Sequence, residues 1–417
     1  MQDGYLINVN GNTSHHIWPK YLTTSQDFIN EYVPQFLGDV NYRLQQSNDY
    51  MAYILKALNL QNYTGFAVFY HELIRFFQLF LIAKTGKYDI RLKVSLPTNT
   101  YAPVYNLYKA SLLVNNAYKL KSLEGSFDSF RENSQTNDNK DSTNGQIIIS
   151  PIFSYLSGAL INKSLSHLGN ITAGHNILNI TDITQIVGHL MLLDNEKSTS
   201  IPNFNSDLSE IDEKLLAYKL LIDELLGKPK GSKNSVANDI LLVDSSLLGI
   251  LNGPIFIFIN NLSIPQAFFE FWEKHAQVYT NYNQINQAFW LTDWRYDLNL
   301  LSGVYSFYKM IEDIRKFGLS NIRNNIKGLH DFYQDVANAL GTNEPFYLRP
   351  RNQEPLYSVS LKLPLHFASS IYKSLVDNFI LPGYFYKDSN SVYLTFTPVL
   401  YNKIDFDEVF AVLDSLL

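Results

Sequence analysis

Cysteine is absent from the sequence. Within this chain there are therefore no disulfides, no thiolate-bound metal and no thiol nucleophile. Charge is scarce as well: Asp, Glu, Lys and Arg make up 17% of the residues, 33 basic against 39 acidic, for a formal net charge of −6. No basic run occurs anywhere. That leaves no electrostatic footprint for a phosphate backbone, so nucleic acid is not an expected partner. No stretch approaches the ~18 uninterrupted apolar residues of a membrane-spanning helix. The opening MQDGYLINVNGNTSHH lacks the basic and apolar regions of a signal peptide, and the expectation is a cytoplasmic protein without membrane contact. Also missing are a Walker loop, a dinucleotide glycine fingerprint, a nucleophile elbow and zinc-ligand spacing. His15-His16 accordingly reads as a surface pair rather than a metal site.

What the chain has in quantity is apolar and aromatic side chains. The hydrophobic class is 46% of 417 residues, with 28 Tyr and 27 Phe, enough for a large core filled substantially by rings. That length accommodates one large α/β unit and a smaller domain. Residues 124–145 are polar and poor in apolar residues, and read as a surface loop. Asn62-Tyr-Thr and Asn170-Ile-Thr fit the glycosylation pattern only because the composition is rich in Asn.

The most informative stretch is Leu178-Asn-Ile-Thr-Asp182-Ile-Thr-Gln185-Ile-Val-Gly188-His189. It reads as a buried strand that stops on a carboxylate, with a Gln three residues on and a Gly three beyond that. Open α/β sheets take their ligands at the carboxyl ends of strands, which would bring Asp182 and Gln185 to a ligand edge. The plainer alternative is a strand end capped by an Asp. The order D-x-x-Q-x-x-G-H resembles the cofactor strand of the fold-type I pyridoxal-phosphate enzymes, in particular their class V aminotransferase and cysteine desulfurase branch. There the Asp carboxylate pairs with the protonated pyridine nitrogen and the Gln with the ring hydroxyl. The resemblance implies those roles for Asp182 and Gln185.

The flanking segments follow the same family in order and spacing. Thr64 through Phe77 occupies the place of a strand, a small-residue turn and a helix, where relatives hold the cofactor phosphate on exposed N–H groups at a helix N-terminus. Here Phe69, Tyr70 and His71 are bulky replacements, while Glu72 matches the family's Glu. His71 offers a donor to a phosphate, or is a surface residue at a helix start. Arg91 to Tyr105 reads as a strand and a Pro-punctuated turn into a helix. By resemblance Tyr101 stands where an aromatic stacks on the pyridine ring; a packed Tyr at a helix start is the alternative. Gln146 to Ile161 resembles the segment V-S-x-x-S-x-x-S/T-G-A, and Tyr401, Asn402 and Asp405 fall into register with the family's closing Y-N-T-x-x-D.

Three departures remove the family's chemistry. Asp239 to Ile259 looks like the strand pair that carries the Schiff-base lysine ahead of a Gly-Pro, and Gly253-Pro254 is present. The lysine is not: none lies between Lys233 and Lys274, and a Schiff base needs an amine there. The phosphate turn has lost its small residues. The Arg that clamps a substrate carboxylate as a bidentate pair is replaced near Thr395, with no Arg after Arg351. Desulfurase chemistry through a catalytic Cys is excluded by composition. Residues 195–235 look like an insertion with an amphipathic helix, apolar at Leu208, Ile211, Leu215 and Leu216 and stopped by Gly227 and Pro229. It packs on its own domain or binds a partner.

The expected architecture is α/β: a three-layer sandwich with a mostly parallel central sheet, plus a smaller α+β C-terminal domain. Residues 1–60 are read as an arm and first helix, 61–295 as the large domain with the 195–235 insertion, and 296–417 as a long linking helix and the small domain, with Gly318 breaking the helices between 297 and 340. The functional expectation is a catalytically inactive member of this fold acting through protein binding or assembly, with no cofactor held and with a homodimer or a protein partner. The alternatives are a divergent enzyme holding pyridoxal phosphate through Asp182, Gln185, Tyr101 and His71, with Lys228, Lys230 or Lys233 supplying the amine, and an unrelated α/β protein.

Overall fold

The computed structural model describes residues 7–9, 28, 30, 39–86, 91–97, 119–123, 144–151, 177–195, 240–248, 250, 253–275, 291–340, 359–386, 391–396 and 404–416. Tyr101, Tyr401, Asn402, the polar loop up to residue 143 and the insertion beyond Asn195 lie outside them.

Continuous apolar runs build the centre. Strand β7 (Ile240–Asp244) and strand β8 (Ile255–Asn260) are buried at every position, the signature of strands covered on both faces. They sit in a seven-stranded sheet with β2 (Tyr63–Val68), β3 (Arg91–Pro97), β4 (Lys119–Leu123), β5 (Asn144–Pro151) and β6 (Ile177–Asp182), in the order β2-β8-β7-β6-β5-β3-β4. Neighbours from β7 through β6, β5 and β3 to β4 run parallel, and β8 alone is antiparallel to both of its neighbours. The expected mostly parallel sheet is present. The excluded reading is that of an unrelated architecture.

Helices cover this sheet. Helix α1 (Val40–Ala57) is started by Asp39, whose Oδ1 accepts from the N–H groups of Asn41 and Tyr42. It packs against helix α5 (Leu298–Asp313), capped in the same way by Asp297. Helix α2 (Leu73–Thr85) ends on Gly86 in the left-handed region, φ 69°. It packs on helix α4 (Gln266–His275), where Phe66, Phe76, Phe268 and Trp272 form one ring cluster with centroids 5.0–6.3 Å apart. Helix α3 (Val187–Asn195) leaves the end of β6.

Gly318 does not break the chain as expected. Residues Ile314–Gly318 form a π-helical turn that joins α5 directly to helix α6 (Leu319–Leu340), so one extra residue per turn is absorbed without an interruption. Beyond it, β9 (Val359–Pro364), helix α7 (Leu365–Asp377), β10 (Ile380–Tyr386), β11 (Ser391–Phe396) and helix α8 (Phe406–Asp414) surround a second, smaller core. Its sheet runs β1-β10-β11-β9. The strand β1 (Ile7–Val9) pairs parallel with β10, Ile7 opposite Ile380. The opening residues, read as an arm, thus supply an edge strand to the C-terminal sheet, and β10 itself had no clear strand pattern in Leu381-Pro-Gly.

Candidate functional site

Two carboxylates end adjacent strands of the large sheet. Asp182 closes β6 and Asp244 closes β7, 2% and 1% exposed. In each case a hydrophobic strand runs out into a polar residue at the carboxyl edge, where such sheets bind ligands. Thr184 joins them: its N–H donates to Asp182 Oδ1 at 2.9 Å, and its Oγ1 accepts from the N–H of Asp244 at 2.8 Å. Burial is the main reason the Asp182 carboxyl is pushed up from 3.8 to about 6; the Thr184 hydrogen bonds oppose this and the Asp244 charge adds to it.

The third member comes from the turn after β2. Residues Tyr70–Glu72 form a single 3-10 turn before α2. In the sheet, Val68 and Asp244 both pair with Ile255 at the start of β8. The Tyr70 side chain, two residues beyond Val68, reaches across that start and its hydroxyl donates to Asp244 Oδ1 at 2.5 Å and also contacts Oδ2 and the Ser246 hydroxyl. Ser246 in turn donates to Asp244 Oδ1 through its N–H at 3.1 Å and its Oγ at 2.7 Å. Burial, then the Asp244 charge, raise the Tyr70 phenol far above its usual range, with a smaller contribution from Asp182.

The turn after β7 is held tightly. Ser245 Oγ donates to the Pro254 carbonyl at 2.6 Å, and a Cβ on Gly253 would lie 2.3 Å from that same Oγ. Only glycine permits this approach. Leu248 and Ile250 are buried there, in the segment where the resemblance leads one to look for an amine.

Glu72, at the base of α2, is 3% exposed. Its Oε1 accepts from the Thr292 N–H at 2.9 Å and from Thr292 Oγ1 at 2.6 Å, while Oε2 has no hydrogen-bond partner among the described residues. Burial raises this carboxyl, and the Thr292 hydrogen bonds work against that. Arg295, three residues on from Thr292, has its guanidinium engaged by Asp293, Nη2 to Oδ2 at 2.6 Å.

The residues singled out from sequence are therefore placed differently. Asp182 closes β6 and Gln185 lies three residues on in the 3-10 turn that follows, its Oε1 buried with no hydrogen-bond partner among the described residues. His71 is exposed and stacks on Phe69, ring centroids 5.5 Å apart and 16° between planes. Thr395, at the place of the lost Arg, is buried in β11, and Asp405 caps α8 through the Glu408 N–H at 3.3 Å. No local pattern in the sequence marks Tyr70, Thr184, Asp244 and Ser246 as a group. Asp244 carried the same signal as Asp182, an apolar strand stopping on Asp, but the tie to Tyr70 spans 174 positions and has no local trace.

A pyridoxal-phosphate molecule fits this arrangement at one end only. A buried carboxyl and an unpaired amide oxygen suit the pyridine end. At the other, the turn that would present N–H groups to a phosphate instead holds a phenol hydrogen-bonded to a buried carboxylate, with Glu72 beside it. An anion there faces two carboxyl groups, Asp244 and Glu72.

Neither a protein-family profile nor a curated protein matches the sequence. Solved structures do match in fold. Sphingomonas wittichii serine palmitoyltransferase superposes with a TM-score of 0.57 at 10% identity, covering 99% of this chain and 87% of that one. The NifS-like protein from Rickettsia africae gives 0.54 at 12% identity over 99% of both chains. Oryza sativa TDC, solved with PLP and tryptamine, gives 0.58 at 9% identity over 98% of this chain and 82% of that one. With the sheet order above, the chain has the fold of the fold-type I pyridoxal-phosphate-dependent transferases.

Proposed function

We propose that this fold-type I transferase fold has lost the chemistry of its relatives and works as a binding or assembly component, as a homodimer or with another protein. The observation that carries the reading is the turn after β7. It contains no amine: from Asn234 to Glu273 the sequence has no lysine, and buried Leu248 and Ile250 line the segment. Covalent capture of an aldehyde cofactor needs a desolvated, positioned amine. Loss of the small-residue phosphate turn and of the carboxylate-clamping Arg supports the same reading, because each would have to be compensated separately. We place the site residues Asp182 and Gln185 as what remains of the pyridine end.

A second reading is favoured by one observation, the buried Gln185 Oε1, three residues after Asp182, which has no hydrogen-bond partner among the described residues. On that reading a flat heterocycle binds without a covalent bond, or with a lysine of the 195–235 segment.

The test is an absorbance spectrum of the full chain after incubation with pyridoxal phosphate and gel filtration, before and after borohydride. A colourless protein is expected, with no mass increase after reduction. A retained visible band fixed by borohydride would overturn the proposal, and peptide mapping would then locate the amine.

A further inference from the structure

We propose that the Tyr70 phenol is a built-in occupant of the anion place of this fold, so that the ends of β2 and β7 are bridged by the chain's own side chain where an anion would otherwise bind. This rests on the reading of the fold as one that no longer holds its cofactor, and adds what fills the space.

The start of β8 lies between the ends of β2 and β7, since Ile255 pairs with both Val68 and Asp244. A helix N-terminus favours an anion; the turn that leads into α2 carries Tyr70, whose side chain reaches the hydroxyl of Ser246 after β7. The Tyr70 hydroxyl takes both oxygens of Asp244 and contacts the Ser246 Oγ. Ser246 in turn spends its N–H and Oγ on Asp244 Oδ1. The donors of Ser246 are thus engaged by a carboxylate, and the ring hydroxyl adds its own hydrogen bond to that carboxylate.

Three features make this a built contact rather than a chance one. Asp244 is 1% exposed, and a buried carboxylate is costly unless its oxygens are hydrogen-bonded. Its own N–H is bound to Thr184 Oγ1 at 2.8 Å, which fixes the backbone that presents it. The Ser245-Pro254 hydrogen bond of 2.6 Å and the close approach at Gly253 hold the turn in register with β8. The arrangement therefore joins three strand ends, β2, β7 and β6, through one phenol, two carboxyls and two hydroxyls.

The experiment compares the wild-type chain with a Tyr70→Ser, Asp244→Asn double variant and with Asp244→Asn alone. Each is titrated by calorimetry with inorganic phosphate and with pyridoxal phosphate. The wild type is expected to bind neither at millimolar concentration, and the double variant to bind both at least tenfold more tightly. Asp244→Asn alone keeps an acceptor for the phenol and gains nothing. If the folded double variant binds no better than wild type, or if Asp244→Asn alone gains as much, the phenol is not the occupant. Should the double variant fail to fold, the wild-type chain decides by nitration with tetranitromethane and peptide mapping. Tyr70 is expected to stay unmodified with or without phosphate, and reaction at the rate of a denatured peptide overturns the proposal. A borohydride-fixed adduct in the wild type sinks the functional reading itself. A colourless wild type with an unresponsive double variant sinks only the role of Tyr70.

Discussion

Asp182 sits where burial favours its neutral form, and this has a measurable consequence for stability. Its carboxyl is raised from 3.8 in the free residue to about 6 in the fold. The folded chain therefore binds this proton more tightly than the unfolded one, and stability falls as pH rises from about 4 through 6 and then levels off. The shift corresponds to a cost of about 3 kcal/mol at neutral pH as an upper figure. In Asp182→Asn the amide oxygen still accepts from the Thr184 N–H. We expect the variant to lose this component of the pH dependence between about pH 4 and 6 and to be more stable than wild type at pH 7 by roughly 1–3 kcal/mol, read from urea unfolding at a series of pH values. An unchanged pH profile would show that Asp182 ionises freely. The contrast with Asp244 is instructive. Both carboxyls end hydrophobic strands, yet Asp182 accepts a backbone N–H while Asp244 collects a phenol and a serine as well. Residue type and strand position were readable for both, and the partners that distinguish them were not.

Among the elements, helix α5 is fitted to the start of β8 by a missing side chain. A Cβ on Gly303 would lie 2.4 Å from Cδ of Pro254, the residue that accepts the hydrogen bond of Ser245. In an exposed helix Gly→Ala gains about 1 kcal/mol. Here the methyl group must displace a proline ring in a packed layer, and overpacking of this kind costs about 1–3 kcal/mol. Gly303→Ala is therefore expected to lower stability, by up to about 2 kcal/mol net, with a matching fall in the denaturation midpoint. A rise would mean that Pro254 yields freely. At the same scale, a glycine between two amphipathic runs predicts a stop at Gly318, whereas the helical run continues through the π turn of Ile314–Gly318. The N-caps Asp39, Asp297 and Asp405 follow local chemistry, each accepting an N–H two or three residues on.

For the molecule as a whole, the two sheets differ in how deeply they are held. Strands β7 and β8 are buried at every residue, and each is paired on both sides within the seven-stranded sheet. Strand β1 is three residues long, at the edge of the four-stranded sheet. Amide hydrogen exchange is expected to proceed at 240–244 and 255–260 only through global unfolding, and at 7–9 by local fraying several orders of magnitude faster. Equal rates would mean that the central strands open independently. The division at 61–295 and 296–417 is our proposal for the domains, and separate protection levels for the two sheets would support it. Among the described residues no helix is long and apolar enough to cross a membrane.

What the sequence determined by itself was set by local rules and by order. Strand-length apolar runs, helix caps and the succession of motifs from Thr64 to Asp405 specify an α/β sandwich, because burial and hydrogen bonding act on neighbours in the chain. The lack of a lysine between Lys233 and Lys274 is likewise complete in the sequence. Tertiary structure alone decided that the opening residues supply an edge to the last sheet, that His71 turns to Phe69, and that Tyr70 closes on Asp244. The strand pairing and the Tyr70–Asp244 contact join residues far apart in sequence, and the latter exists only once the antiparallel strand β8 has brought the ends of β2 and β7 to either side of Ile255.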